Sequence, residues 1–226
     1  ISPHWARASL LVIGLSVASK FLGLWRELEM ARLFGVGENM DAFIAAFTLL
    51  LFISRMASDS LLVNTPALIG KHSHQQISVP WGDLLRALLL VAAVLTLIAA
   101  LFLPALVPTL FPGLSEDTQS LTRQLIYKML PLVAGWALIG ALGGILNFQR
   151  RYGRYQAALM IANTGVLITM GIFAQRIGIK ALAWGWGFGI GAGVFAVIVP
   201  LRDQIWQIGA WHSWKSQWSA LRSLLT

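Results

Sequence analysis

The chain has 226 residues, 57% of them hydrophobic and 12% charged, with a mean hydropathy of +0.72; a soluble domain of this size carries about twice that charged fraction, so a water-soluble globule is excluded. Cysteine is absent, which excludes disulfides, thiolate catalysis and cysteine-based metal sites. The net charge of +8 falls in short clusters between apolar runs, not in a continuous stripe, and so points to a membrane surface and away from nucleic acid.

The sequence opens Ile-Ser-Pro-His-Trp without an initiator Met, which reads as a trimmed or partial chain. Its first apolar run is too long, and too charged in its second half, for a signal peptide. The pattern predicts an all-α integral membrane protein with six transmembrane helices over 8–34, 41–69, 84–110, 122–148, 156–175 and 180–201. Breaks stand at Gly35-Val36-Gly37, at the polar stretch Lys71-His72-Ser73-His74-Gln75-Gln76 and at Pro112-Gly113. Two more follow, at the basic turn Gln149-Arg150-Arg151-Tyr152-Gly153-Arg154 and at the short connection from Arg176 to Lys180. Residues 1–201 therefore form one transmembrane lobe. In 202–226, Trp211, Trp214, Trp218 and Leu221 recur at helical spacing after Trp206. That tail reads either as an amphipathic helix lying in the membrane interface or as a connector to a further membrane helix.

Basic residues assign the sides of the membrane. Arg7, Lys71, Arg86, Arg150, Arg151, Arg154, Arg202, Lys215 and Arg222 fall on one side, against Arg123, Arg176 and Lys180 with the acids Glu116 and Asp117 on the other. Both termini are then expected in the cytoplasm.

The first helix carries Lys20, Arg26, Glu27, Glu29 and Arg32 inside a stretch that must cross the bilayer. A charge near the centre costs about 2.5–3.5 kcal/mol on insertion scales, so such residues face an interior or a wet cavity and usually pair. Spacing allows Arg26–Glu29 and Glu29–Arg32 pairs, with Glu27 on the same face as Lys20. The second helix begins at Asp41 and holds Arg55 and Asp59 one turn apart. Two readings follow: ion pairs that lock helices one and two together, or a hydrated cationic cavity that receives an anionic head group. Glycines 140 and 144, and 185 through 193 at alternate positions, allow close helix packing. Pro66, Pro104, Pro108 and Pro131 would kink their spans, and Asn147 and Asn163 are expected to hydrogen-bond between helices near the cytoplasmic side. No catalytic constellation, metal site or cofactor motif is found; His4, His72, His74 and His212 lie outside the spans.

The run Lys20-Phe-Leu-Gly-Leu-Trp-Arg26-Glu27, then Ala31-Arg32-Leu-Phe-Gly-Val-Gly37, then Asp41-Ala-Phe43 resembles the opening of the MurJ/MviN family. Leu130-Pro131, Gly144-Ile-Leu-Asn147, Arg151-Tyr152, Asn163 and Ala181-Leu-Ala-Trp-Gly185 extend the resemblance in order and spacing over nearly the whole chain. The family comprises lipid II flippases of the multidrug/oligosaccharidyl-lipid/polysaccharide exporter superfamily. The resemblance implies a two-lobed fold around a central cavity, of which this chain is the N-terminal lobe, in a bacterial inner membrane. It implies a non-enzymatic transporter of a polyprenyl-diphosphate-linked sugar for cell-wall synthesis, with membrane lipids and a second lobe or partner chain as its surroundings. It also carries substrate-binding roles to Lys20, Arg26, Asp41 and Arg55, with Glu27 and Asp59 beside them. The family's adjacent arginines are Ser54-Arg55 here, and its acid–glycine step is Asp59-Ser60. An exopolysaccharide repeat-unit flippase or a drug exporter of the same superfamily is the alternative within transport. A non-transporting membrane scaffold is the alternative of another class.

Overall fold

A computed structural model describes the backbone of residues 3–74 and 81–202, and the side chains of 10, 13–70 and 84–202. Every regular element among them is helical: α1 (Pro3–Phe34), α2 (Glu38–His74), α3 (Trp81–Leu110), α4 (Glu116–Met129), α5 (Pro131–Phe148), α6 (Tyr152–Ile177) and α7 (Lys180–Ile198), which ends in the 3-10 turn Val199–Leu201. In hydrocarbon, a helix is the way a single segment satisfies its own backbone hydrogen bonds. Among the described residues, five stretches are long and apolar enough to cross a bilayer: Glu38–Gly70, Leu84–Leu110, Pro131–Phe148, Tyr152–Ile177 and Lys180–Leu201. α1 has the length, at 32 residues, but its charged second half sets it apart from these five. The tail tryptophans 206, 211, 214 and 218 lie outside the described residues, as do the side chains of Arg7, Lys71, His72 and His74.

The helix expected over 122–148 is two helices. Pro131 has no N–H to donate and its ring crowds the preceding turn, so the ladder breaks there. Leu130 keeps helical dihedrals (φ −51°, ψ −38°), and α5 therefore follows α4 without a loop. α4 also begins earlier than expected, because Ser115 caps it by accepting a hydrogen bond from the Thr118 N–H at 3.3 Å. Thr118, Thr122, Leu125, Ile126 and Met129 then form one buried face of α4.

With α4 and α5 counted as one crossing, the helices alternate in direction. α6 and α7 are antiparallel, with Gly165 opposite Gly189, Thr169 opposite Gly185, and Ala158 and Ala162 opposite Gly193. α2 and α5 run parallel, Ser58 against Gly140 and Thr65 against Gly144. A Cβ on Gly140 would overlap the Ser58 backbone, so only glycine permits this approach. Phe43, Leu50, Leu125, Ile126, Met129, Leu132, Ile139, Met170 and Leu182 close the apolar core between these pairs. α1 lies parallel to α6 on its outer side and scarcely touches α2. The alternation gathers Arg150, Arg151, Arg154 and Arg202 at one end, where the Arg151 guanidinium donates to the Pro200 carbonyl at 3.2 Å. Glu116, Asp117, Arg176 and Lys180 lie at the other end.

Candidate functional site

The polar half of α1 meets α6 and α7 at Arg26. Its side chain is only 12% exposed. Nη1 donates to Asn163 Oδ1 of α6 at 2.7 Å, and Nη2 lies 2.5 Å from Glu27 Oε1 on its own helix. The guanidinium carbon stands 4.5 Å from the centroid of the Trp186 ring on α7, a cation–π contact. Nε is buried without a hydrogen-bond partner. Asn163 Nδ2 donates in turn to the Leu159 carbonyl at 3.1 Å, which fixes the amide so that its oxygen faces Arg26. Trp186 packs on Phe47 of α2 at 4.7 Å between centroids, and Phe47 stacks on Phe43 at 5.5 Å. Three helices thus converge on one cation, and α2 backs the arrangement through Phe47 on Trp186.

Arg55 occupies a second place. Its guanidinium lies 5.1 Å from the Trp136 ring of α5. Asp59 is exposed one turn further along α2, and the buried Tyr155 of α6 is within electrostatic reach of both. Phe47 precedes Arg55 by eight residues, so the Arg26 and Arg55 clusters are separated by about 12 Å along the α2 axis. Trp136 and Trp186 each keep an indole N–H buried without a partner.

The six residues singled out in the sequence do not form one constellation. Arg26 and Glu27 are in contact, Arg55 and Asp59 are neighbours, and Lys20 is exposed on α1 about 9 Å of axial rise from Arg26. Asp41 stands apart in the first turn of α2, exposed, with its N–H bonded to the Gly37 carbonyl. The expected Arg26–Glu29 pair does not form; Glu29 instead binds Arg32 at 2.8 Å. The two ion pairs made by the charges of α1 lie within α1 itself, so neither of them joins α1 to α2. The reason is direction: Arg26 points between α6 and α7, whereas Glu29 and Arg32 line a groove of about 510 Å³ between α1 and α6. Lys20 and Glu27 share a face, but seven residues place them about 10.5 Å apart along the axis, beyond pairing distance.

Asn163 makes the interhelical bond expected of it, though from the middle of α6 and not near its end. Trp136 and Trp186 are the residues that sequence reasoning missed as partners. Both lie more than a turn inside their helices, a position that an interfacial belt does not explain. Among the described residues no group of three or more His, Asp or Glu converges on a point. The chemistry on offer is that of guanidinium groups held against neutral π faces, which suits an anion and provides no nucleophile–base pair.

The family model described as "Lipid II flippase MurJ" matches residues 30–224. The probable lipid II flippase MurJ of Rickettsia prowazekii (strain Madrid E) is 26% identical over 180 residues, covering 76% of this chain and 35% of that protein. The lipid II flippase MurJ of Burkholderia cenocepacia is 25% identical over 187 residues, covering 79% and 36%. This chain thus spans about a third of the length of these curated relatives. In fold it is similar to a lipid II flippase MurJ solved in an inward closed conformation, with a TM-score of 0.73 at 19% identity, covering 96% of this chain and 46% of that one. It is also similar to a MOP superfamily transporter from Pyrococcus furiosus, with a TM-score of 0.67 at 15% identity, covering 96% and 49%.

Proposed function

The chain belongs to the lipid II flippase MurJ family, and from that premise we propose that it forms one lobe of a transporter moving a polyprenyl-diphosphate-linked sugar across the bacterial inner membrane by alternating access. The observation that carries this reading is Arg26: a guanidinium inside a spanning helix whose interhelical partners, Asn163 and Trp186, are both neutral. Its one carboxylate partner, Glu27, is exposed and comes from the same helix, so a diphosphate can take its place on the planar donor fork of arginine. Arg55, held over Trp136, forms a second contact on the same path, and Lys20 assists from the exposed face of α1. Glu27 and Asp59 keep the two cations from repelling each other when the path is empty. Asp41 marks the entrance of α2.

In this arrangement residues 1–201 are the lobe, and 202–226 form the interfacial segment or connector towards a second lobe. The excess of basic residues puts both ends of the chain in the cytoplasm. Two lobes rocking about a central site are a common solution for alternating access. One feature favours a sugar carrier other than lipid II. Ser54, where the family pattern has an arginine, is buried and donates to the Leu50 carbonyl at 2.6 Å, so the site has one cation fewer.

Reconstitution of the intact transporter in liposomes tests the reading. A lipid-linked disaccharide should reach the opposite leaflet, and Arg26→Ala at equal protein level should remove nearly all of that movement. Wild-type movement with Arg26→Ala would exclude the cation site. Loss of the protein from the membrane, restored by adding Glu27→Ala, would assign Arg26 a purely structural role.

A further inference from the structure

We propose that Asn163 and Trp186 are positioning residues whose neutrality is their function: they fix Arg26 within the lobe without neutralising it, so that its charge stays available to an anion. This rests on the reading of Arg26 as a diphosphate contact. A buried or half-buried arginine is ordinarily held by a carboxylate, which cancels the charge on which binding depends. Here the contact from α6 is an amide oxygen at 2.7 Å, and the contact from α7 is the face of an indole at 4.5 Å. Both attract a guanidinium and neither carries a formal charge. The nearest carboxylate is Glu27, whose side chain is 55% exposed and comes from the same helix, so it can swing away when an anion arrives.

The supporting contacts make both partners rigid. The Asn163 amide is tied back to the Leu159 carbonyl, so it presents only its oxygen to Arg26. Trp186 is itself packed against Phe47 and is 4% exposed. With Nη1 and one face of the guanidinium occupied, Nη2, now on the exposed Glu27 carboxylate, is the donor an incoming phosphate oxygen would take over, and the unpartnered Nε beside it, buried in the empty lobe, would join it once uncovered. These two lie on one edge of the fork, which is the geometry of bidentate phosphate recognition.

The sharpest test replaces the amide by its charged isostere. Geranyl diphosphate binding to the intact transporter in nanodiscs is measured by calorimetry, beside the thermal midpoint of each variant. Asn163→Asp should keep or raise the midpoint, because it adds an ion pair between α1 and α6. The same variant should bind geranyl diphosphate about tenfold more weakly or worse, the scale of one charge-assisted hydrogen bond. That loss should diminish as the pH falls and the new carboxylate takes up a proton, a pH dependence beyond any that the wild type shows. Trp186→Phe, which keeps a ring face, should stay within about threefold of wild type, and Trp186→Leu should lose about tenfold. Arg26→Ala separates the two levels: if it binds as wild type, the reading of Arg26 itself fails. If Arg26→Ala abolishes binding while Asn163→Asp and Trp186→Leu both bind as wild type, Arg26 stands and the positioning role is overturned.

Discussion

Arginine and lysine differ most where a cation must be held and used at once. Arg26 donates to Asn163, stacks on Trp186 and still has donors left, which a single ammonium group has no geometry to do. Arg26→Lys should therefore keep the charge but lose about tenfold in initial flipping rate at equal protein, measured in proteoliposomes. A wild-type rate would mean that charge alone matters there. The cations themselves were legible in the sequence, because charged residues are conspicuous in an apolar run. Their partners were not. Whether Arg26 meets Glu27, Glu29 or Asn163 depends on which neighbouring helix it faces, and spacing along one helix holds no information about that. Tryptophan in a membrane sequence reads first as an interfacial anchor, so Trp136 and Trp186 were indistinguishable from the belts until the packing placed them under Arg55 and Arg26.

Among the elements, the helix pairs α2–α5 and α6–α7 are set by small residues. Lipid tails are as apolar as leucine, so hydrophobicity gives these helices no preference for one another over lipid, and close van der Waals approach has to hold them. A Cβ on Gly140 would meet the Ser58 backbone, and one on Gly189 would meet the Ala162 carbonyl, whereas Gly171 and Gly187 have open space. Overpacking of this kind costs about 1–3 kcal/mol. Gly140→Ala and Gly189→Ala should each lower the thermal midpoint in detergent by several degrees, and Gly171→Ala and Gly187→Ala should leave it nearly unchanged. Equal effects at all four positions would mean that helix propensity, not packing, controls the response. The glycine pattern announced close packing, but not which glycines face a neighbour. The break between α4 and α5 is legible in the sequence as Pro131, but it reads there as a kink inside one helix, because Leu130 keeps helical dihedrals across the junction.

For the whole molecule, the proposed sidedness follows from the positive-inside rule and is open to direct labelling. The chain has no cysteine, so single-cysteine labelling has no background. A cysteine at Arg176 should react with an impermeant maleimide in intact cells, and one at Arg151 only after permeabilisation. The reverse result would invert the orientation. α1 packs mainly along α6, with Arg26 reaching Trp186 of α7, and Lys20, Glu27 and Arg32 are exposed. Three charges left facing hydrocarbon would cost about 8–10 kcal/mol. A second lobe, in the same polypeptide or in another, would cover that face and close the path. The most direct measurement is to purify residues 1–226, determine the mass of the protein in detergent, and assay movement of a lipid-linked sugar in liposomes with and without the remainder of the transporter. Movement only with the second lobe present is the predicted result; a monomer of residues 1–226 that moves the substrate unaided would contradict it.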